Sequence, residues 1–439
     1  MTEPASARLA FDTRQLHAGQ DADSAHRPRA TPIYLTAGFE FDDFDQGHAR
    51  FAGTDDGFSY TRVGNPTNAA AERRIADLES GIGAVLVASG QAAVATVVLA
   101  LVNAGDHVLS SSSIYEGTRE LLRDDLARLG VAVDFVIDPN DTDEWRAKLR
   151  PNTRLLFAES IPNPRNDVLD IEAVAGVAHE FGVPLIVDNT LATPYLVRPL
   201  EHGADIVVHS ASKFLAGHGT VLGGIIVDGG SFDWMRRADA YPQITGDRGP
   251  DGRTVAERSG QRAFLDFARR VAMRYGPCPS PLNAFLILQG IETLSLRVRH
   301  QSASARHLAH WLERQPGVAS VDYSGLASSP HRARAERYLP RGQGSVFAVT
   351  IHGGLEAART FTNALRLFTR MTHLGDVRSL VLHPATTTHV LRTDEQLAAG
   401  GIGPGLLRLS IGLEDVDDLI ADLDQAFAAV AASDLLVVA

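Results

Sequence analysis

Cysteine is almost absent from this chain, since Cys278 is the only one in 439 residues. A disulfide within the chain is therefore impossible, and a zinc site built from several cysteines is excluded. No apolar run approaches the roughly 18 residues that a membrane-spanning helix needs. The first residues show no basic cluster followed by an apolar stretch, as a secretory signal would. We expect a protein of the reducing cytoplasm without a membrane partner.

Lysine is nearly as scarce. The 41 basic residues include only two lysines, Lys148 and Lys213, and all the others are arginines. An arginine-rich surface alone indicates no function, because codon usage can produce it. Arginine cannot, however, replace lysine where a neutral amine must bond covalently to a carbonyl group. The two remaining lysines are therefore the first candidates for such chemistry.

An excess of positive charge is also lacking. The 53 acidic residues outnumber the 41 basic ones and leave a net charge of −12. Nucleic-acid binding would require a basic surface, which this balance does not indicate. The apolar fraction of 44% and the charged fraction of 21% are those of an ordinary globular chain. We expect small-molecule substrates and no nucleic acid.

Helical patterns alternate with short apolar runs between about residues 65 and 230. The runs with strand character are AVLVAS, HVLSS, VDFVID, RLLFAES, PLIVD, DIVVHS and GGIIVD. This alternation predicts the α/β class, with a mainly parallel sheet covered by helices on both faces. We interpret residues 65–275 as a large ligand-binding domain and residues 1–64 as an N-terminal arm.

Two later parts of the chain follow other patterns. Residues 231–275 include a polar, turn-rich stretch, for which we expect an insertion or a mobile connection. A long amphipathic helix is predicted to begin near Ala284. Residues 276–439 as a whole predict a smaller C-terminal α/β domain with an antiparallel sheet.

The segment DIVVHSASKFLAGHG places Lys213 just beyond a strand that ends in small hydroxyl residues, Ser210 and Ser212. Small residues at a strand end let a flat ligand approach the backbone, and hydroxyl and backbone N–H groups can hold a phosphate. The glycines that follow have neither Walker A nor GxGxxG spacing. A glycine-rich loop with an exposed lysine is the alternative at this point.

Two other strand ends carry groups that would complete a cofactor site. Asp188 ends the apolar run PLIVD, where a buried carboxylate requires a cationic partner such as a protonated pyridine nitrogen. Ser89, Gly90 and Gln91 lie between a strand and a helix, so that their N–H groups and the helix dipole can face an anion. Each element alone is compatible with an ordinary turn or helix start. Asp188 together with Lys213 favours pyridoxal 5'-phosphate.

Two loop residues extend this set. Tyr115 in SSSIYEGT could lie on the face of an aromatic ligand, although a lone tyrosine is more often part of a core. Asn163 in IPNPRN follows a strand and could bond a ring hydroxyl. A metal site is not indicated, because the histidines of the region do not have HExxH spacing.

Together these motifs resemble the fold-type I pyridoxal-phosphate-dependent enzymes of the trans-sulfuration family, which act in cysteine and methionine metabolism. The resemblance runs from about Pro32 to Glu414. It implies a PLP-dependent transferase whose large domain has a mainly parallel seven-stranded sheet. It also implies that Lys213 carries the cofactor covalently, that Asp188 pairs with the pyridine nitrogen and that Tyr115 stacks on the ring. The implied phosphate ligands are Ser89, Gly90, Gln91, Ser210 and Ser212.

The resemblance also assigns residues to a neighbouring subunit and to the substrate. FSYTRVGNPT matches the family segment whose Tyr60 and Arg62 reach the phosphate of a neighbouring subunit. This implies a homodimer or homotetramer with shared active sites. Arg408 in LLRLSIGLED matches the arginine that binds the substrate α-carboxylate, with Ser379 and Asn163 assisting.

Within the family, RYLPRGQGSVFAVTIHGG and LGDVRSLVLHPATTTH resemble the O-acetylhomoserine sulfhydrylase branch. This branch implies that sulfide replaces the acetate of O-acetyl-L-homoserine and yields L-homocysteine, a step of methionine biosynthesis. The alternatives are a cystathionine γ-synthase or γ-lyase, use of O-succinylhomoserine, or a non-catalytic protein that binds a phosphate ligand. YEGT stands where YGGT is usual, and we expect Glu116 to repel the second carboxylate of cysteine and so to favour sulfide.

Overall fold

The computed structural model describes residues 9–20, 26–249 and 251–433. The N-terminal arm expected at residues 1–64 therefore lies partly outside the described residues. Two sheets, one of seven strands and one of five, form the centres of a large and a small domain.

The seven-stranded sheet belongs to the large domain. Its strands are β1 (Gly83–Val87), β2 (His107–Ser111), β3 (Ala132–Val136), β4 (Thr153–Glu159), β5 (Leu185–Asp188), β6 (Ile206–Ser210) and β7 (Gly224–Asp228). They lie in the order β1-β7-β6-β5-β4-β2-β3. Strand β7 is antiparallel to both β1 and β6, and the other neighbours are parallel. The prediction of an α/β fold with a mainly parallel seven-stranded sheet is confirmed.

Each face of this sheet has its own apolar core. Along β4, Leu156 and Ala158 enter one core, whereas Leu155 and Phe157 enter the other. This alternation follows from the two-residue period of a strand. The helices up to residue 275 are α1 (Phe11–His17), α2 (Phe44–Ala52), α3 (Pro66–Leu78), α4 (Gly90–Leu101), α5 (Glu116–Glu120), α6 (Leu126–Arg128), α7 (Thr142–Lys148), α8 (Ile171–Phe181), α9 (Thr193–Leu196), α10 (Pro242–Thr245), α11 (Val255–Ser259) and α12 (Ala263–Tyr275).

The small domain contains the second sheet. Its strands are β8 (Val318–Asp322), β9 (Val346–Ile351), β10 (Thr369–Arg370), β11 (Leu380–Leu382) and β12 (Leu406–Ser410). They lie in the order β10-β11-β12-β9-β8, and every pair except β10 and β11 is antiparallel. The remaining helices are α13 (Pro281–Ile291), α14 (Leu294–Leu312), α15 (Arg332–Tyr338), α16 (Gly354–Ala364), α17 (Asp394–Ala399) and α18 (Val416–Ala431).

Within residues 231–275 the expected alternative of a mobile connection is wrong, whereas that of an insertion stays a prediction. This part of the chain forms α10, α11 and α12, and Trp234 and Phe264 stack in the core on one face of the large sheet. A capping box formed by Thr254 and Glu257 starts α11. The pair has the T-x-x-E spacing of such boxes, so the polar stretch contains a helix start as well as turn residues.

The expectation of a single long helix from about Ala284 is also wrong. The helix is interrupted at residues 292 and 293, so that α13 ends at Ile291 and α14 begins at Leu294. A Cβ on Gly290, near the end of α13, would lie 2.3 Å from the carbonyl oxygen of Ala216. Only glycine allows the helix end to approach the loop after β6 so closely. Arg297 of α14 donates a hydrogen bond to the carbonyl of Gly290 at 2.7 Å.

Helix α14 contributes side chains to the apolar cores of both domains. Leu294 and Val298 belong to the core under the large sheet, whereas Ala305 and Leu308 belong to the core of the small domain. We propose to place the domain boundary inside α14 rather than between residues 275 and 276. In the part of the chain that the structure describes, no helix is long and apolar enough to cross a membrane.

Candidate active site

A cavity of about 430 Å³ opens beyond the strand ends of the large sheet, where the small domain meets it. Open α/β sheets bind ligands outside the carboxyl ends of their strands. Most of the predicted site residues line this cavity. They are Ser89, Gly90, Gln91, Tyr115, Asn163, Asp188, Ser210, Ser212, Lys213 and Arg408.

Lys213 is held in a tight turn after β6. Its N–H donates to the carbonyl of Ser210 at 3.1 Å, and the N–H of Gly217 donates to the Lys213 carbonyl at 2.7 Å. Burial and then the positive charge of Arg408 lower the pKa of Lys213 to about 8. An amine with this pKa is partly neutral near pH 7 and can attack a carbonyl carbon.

Asp188 is the last residue of β5, and its carboxylate faces the cavity. Burial raises the pKa of Asp188, while two hydrogen bonds from Thr190 act in the opposite direction. The Thr190 N–H and hydroxyl donate to Oδ1 at 2.9 and 2.5 Å. A cationic ligand atom beside this carboxylate would favour its ionised form.

The N-terminus of α4 forms another wall of the cavity. The Ser89 side chain caps the helix by accepting from the N–H of Ala92 at 3.1 Å. Gly90 and Gln91 are the first helical residues, whose N–H groups have no partner within the helix. A Cβ on Gly90 would lie 2.6 Å from the Cβ of Ser210, so glycine brings this helix start against β6. The N–H groups and the helix dipole then suit a phosphate.

Arg408 comes from β12 of the small domain and is 2% exposed. Its guanidinium donates to the carbonyls of Thr372 and His373 at 3.1 and 2.9 Å and to Oδ1 of Asn163 at 3.3 Å. Burial lowers the pKa of Arg408 to about 10, which leaves it charged at neutral pH. Its Nε atom is buried and has no hydrogen-bond partner among the described residues. Such an atom suits an anionic ligand.

Comparison with known proteins leads to the same chemistry. The profile of a family described as Cys/Met metabolism PLP-dependent enzymes matches residues 12–428. The chain belongs to this family.

Relatives of this enzyme match it over nearly their whole length. An O-acetyl-L-homoserine sulfhydrylase of Corynebacterium glutamicum is 44% identical, over 96% of this chain and 97% of the relative. A homocysteine synthase of Schizosaccharomyces pombe is 42% identical, over 95% and 97%. The crystal structure of a putative O-acetylhomoserine (thiol)-lyase of Campylobacter jejuni superposes with a TM-score of 0.92 at 34% identity. It covers 96% of this chain and 100% of that one, and it contains a pyridoxyl-lysine phosphate.

The enzyme is PLP-dependent, and the cavity fits the cofactor. The amine of Lys213 suits the aldehyde, the carboxylate of Asp188 suits a protonated ring nitrogen, and the start of α4 suits the phosphate. The unpartnered Nε of Arg408 remains for an anionic group of the substrate. The aldehyde, the ring nitrogen and the phosphate of the cofactor and one anionic group of the substrate therefore each have a chemically suitable partner.

Tyr115 lines the cavity and is 50% exposed. Its N–H donates to Oε1 of Glu159 at 2.6 Å. A Cβ on Gly117 would lie 2.7 Å from the Tyr115 ring, so glycine at this position leaves room for the ring beside α5. Stacking of this ring on the cofactor stays a prediction.

Ser379 does not line the cavity, contrary to the sequence expectation. Its side chain is fully buried. The hydroxyl donates to Glu414 at 2.8 Å and accepts from the N–H of Gly412 at 2.9 Å. These bonds tie the end of β12 to the residue before β11 and leave the hydroxyl no direct route to a substrate.

Tyr60 and Arg62 also lie away from the cavity of their own chain. Tyr60 is 47% exposed, and the Arg62 guanidinium lies 5.5 Å from its ring. Arg62 donates to the carbonyl of Met273 at 2.7 Å. This placement is the one expected of residues that serve a neighbouring subunit, which stays a prediction.

Sequence reasoning missed two titratable residues of the cavity, Glu159 and His373. Glu159 ends β4 beside Asp188, and the signal that identified Asp188, a carboxylate at the end of an apolar strand, also applied to it. Burial and then the charge of Asp188 raise the pKa of Glu159 well above its usual range. The two neighbouring carboxylates therefore disfavour each other's ionised form. The segment MTHLGD gives no comparable local signal for His373.

The carboxylate of Glu116, which is expected to repel the second carboxylate of cysteine, has cationic partners of its own. It forms an ion pair with Arg392, and Nε2 of His389 lies 3.8 Å away. Arg119 and Arg392 also line a neighbouring cavity of about 350 Å³. The negative charge of Glu116 is thus offset.

Lys148 and two histidines of the large domain have structural partners. Lys148 donates to the carbonyl of Phe135 and to Glu144 at 2.6 and 2.7 Å. His209 contacts buried Glu79, and His202 contacts Glu172. Within residues 9–20, 26–249 and 251–433, no three His, Cys, Asp or Glu side chains are grouped as metal ligands.

Proposed function

We propose that this enzyme catalyses γ-replacement on O-acetyl-L-homoserine, with sulfide as the nucleophile and L-homocysteine and acetate as products. The observation that carries the proposal is that Lys213, Asp188 and Arg408 converge on one cavity. The names of the C. glutamicum and S. pombe relatives supply the substrate class.

Some residues of the site bind the substrate and the cofactor, and another transfers protons. Arg408 binds the α-carboxylate of the amino acid, and Asn163 orients the guanidinium through its Oδ1. Asp188 holds the cofactor ring nitrogen in its protonated form. When bound, pyridoxal phosphate provides an electron sink for the negative charge that develops on the substrate carbons.

Lys213 is the proton carrier. Its amine, once released from the cofactor, takes a proton from Cα of the substrate and moves protons at Cβ. The Cγ–O bond then breaks and acetate leaves. Hydrosulfide (HS−) forms the new Cγ–S bond and keeps its proton, so that the product is the thiol, and Lys213 returns the protons that it took from Cα and Cβ. The pKa of about 8 allows Lys213 both to accept and to return a proton near neutral pH.

We infer further that the active site is completed by a second copy of the chain, in a homodimer or homotetramer. Several apolar side chains between residues 33 and 63 are exposed in the single chain. They are Ile33, Tyr34, Leu35, Phe41, Phe44, Phe51, Tyr60 and Val63. Exposed apolar surface of this kind marks an interaction site. We place the enzyme in the cytoplasm, where its single cysteine would stay reduced.

The proposal is tested by steady-state kinetics with O-acetyl-, O-succinyl- and O-phosphohomoserine, each with sulfide and with cysteine, and by the mass of each product. We expect the highest kcat/KM for O-acetylhomoserine with sulfide, and homocysteine as the product. Comparable efficiency with cysteine would assign the enzyme to cystathionine synthesis instead. No turnover in any combination, with the cofactor bound, would refute γ-replacement.

A further inference from the structure

The imidazole of His373 lies next to the amine of Lys213, and the proposed reaction gives His373 no function. Its Nδ1 atom lies 3.1 Å from Nζ of Lys213, although the two residues are 160 positions apart in the chain. The imidazole lines the same cavity as Lys213 and Arg408. Its Nε2 atom is buried and lacks a hydrogen-bond partner in the described part of the chain.

The surroundings of His373 keep its ring neutral. Burial, followed by the charges of Lys213 and Arg408, lowers the pKa of His373 to about 4, and only Asp376 acts in the opposite direction. A protonated lysine has three donors and no acceptor. Nδ1 must therefore accept from the Lys213 ammonium, and the ring proton is on Nε2.

The backbone of the same residue contacts Arg408. The His373 carbonyl accepts from the Arg408 guanidinium at 2.9 Å. One residue thus contacts the proposed proton carrier through its side chain and the proposed carboxylate ligand through its main chain. A substitution of the side chain leaves the second contact in place.

The loop that carries His373 is fixed against the turn that carries Lys213. The N–H of Val377 donates to the carbonyl of Gly217 at 2.9 Å. Gly375 has a φ of +72°, and a Cβ there would lie 2.7 Å from the ring of Phe214, the residue after Lys213. This close approach requires glycine. Packing of the loop therefore fixes the backbone of His373 relative to that of Lys213.

We propose that His373 is a positioning residue for Lys213, which accepts a hydrogen bond from the released amine, directs its Nζ and stabilises it after it has taken up a proton. The inference rests on the proposed function of Lys213 as the proton carrier. It concerns no other step of the reaction.

Two consequences follow from the contacts. Without an acceptor at position 373, the protonated amine loses a hydrogen bond, so that Lys213 becomes neutral at lower pH. The amine is also less well directed, so that kcat should fall. KM for the amino-acid donor should change little, since the carbonyl at position 373 still accepts from Arg408.

The contact is tested by competitive acetylation of the full-length protein after removal of the cofactor. A trace of acetic anhydride is added at a series of pH values, and the acetylated Lys213 and Lys148 peptides are quantified by mass spectrometry. Lys148 is the internal control, because it is the only other lysine. The variants are His373→Leu, His373→Asn, which keeps an acceptor near the position of Nδ1, and His300→Asn as a matched exposed control.

We expect His373→Leu to shift the Lys213 midpoint down by about one pH unit, a change of about tenfold in the ratio of neutral to charged amine. His373→Asn should shift it less, and neither His300→Asn nor the Lys148 profile should change. An unchanged Lys213 midpoint in His373→Leu would overturn the proposal, as would a rise of KM for the donor at constant kcat in the holoenzyme. The acetylation result does not depend on whether Lys213 carries the cofactor, so failure of the proposed function remains distinguishable.

Discussion

Nε2 of His209 lies 2.6 Å from Oε1 of Glu79, and both side chains are fully buried. The same Glu79 oxygen accepts from the side-chain amide of Asn189 at 2.8 Å. His209 precedes Ser210 on β6, and Asn189 follows Asp188 at the end of β5. Glu79 therefore supports two of the strand ends that form the cofactor site, from inside the core.

Replacement of Glu79 by alanine leaves His209 and Asn189 buried without their shared partner. Removal of one member of a buried pair costs about 3–5 kcal/mol of folding free energy. We expect a loss of this size for Glu79→Ala, measured by urea unfolding at one protein concentration. Glu180→Ala, which removes an exposed partner of Arg146, is the control and should cost at most about 1 kcal/mol. Equal unfolding midpoints for the two variants would show that Glu79 has no such role.

The strand ends could be predicted from the sequence because their signals are local. An apolar run that ends in Asp188, or in small residues before Lys213, indicates both a strand and the position of a ligand. Arg408 was identified only through the family resemblance, since its sequence context is that of an ordinary strand residue.

Other features depend on contacts between distant parts of the chain. His373 reaches Lys213 only because Gly375 packs against Phe214, and no pattern within MTHLGD reveals this. The ion pair of Glu116 with Arg392 likewise joins two segments 276 residues apart. Ser379 was expected to assist in binding the substrate. The sequence could not show that its hydroxyl instead donates a hydrogen bond to Glu414.

Asp188→Asn should keep the cofactor bound but lower turnover. A neighbouring carboxylate raises the pKa of the ring nitrogen by about 1–3 units, and an amide does not. Without this shift the protonated fraction of the cofactor falls, and we expect activity to fall by about 10- to 1000-fold. The measurement is kcat beside the visible absorbance of the bound cofactor. Asp143→Asn in α7, on the protein surface, is the matched control. Turnover within twofold of the parent, with full cofactor occupancy, would be incompatible with the assigned role.

Arg408→Lys should weaken binding of the amino-acid donor while the cofactor stays in place. Lysine keeps the charge but loses the fork of donors that a carboxylate requires. Loss of one hydrogen bond to a charged group corresponds to about 10- to 150-fold in kcat/KM. Initial rates over a range of donor concentrations measure this, with Arg314→Lys as an exposed control. If cofactor affinity falls instead and kcat/KM for the donor is preserved, Arg408 does not bind the substrate.

Hybrids between two inactive variants test the shared site. A subunit with Arg62→Ala keeps its own Lys213, and a subunit with Lys213→Ala supplies an intact Arg62. If each site combines residues of two chains, one of the two sites in a hybrid dimer is complete. We expect co-expression with two different affinity tags, followed by tandem purification, to yield active hybrids from inactive parents. Purified hybrids without activity would indicate that each site is built from one chain.

The central claim is that Lys213, one of only two lysines, carries the cofactor. Borohydride reduction of the purified holoenzyme fixes the cofactor on the lysine that holds it, and peptide mass mapping identifies that lysine. We predict one pyridoxyl phosphate per chain, on the peptide that contains Lys213, and none on the peptide that contains Lys148. Attachment to Lys148, or unchanged attachment in Lys213→Ala, would contradict the account.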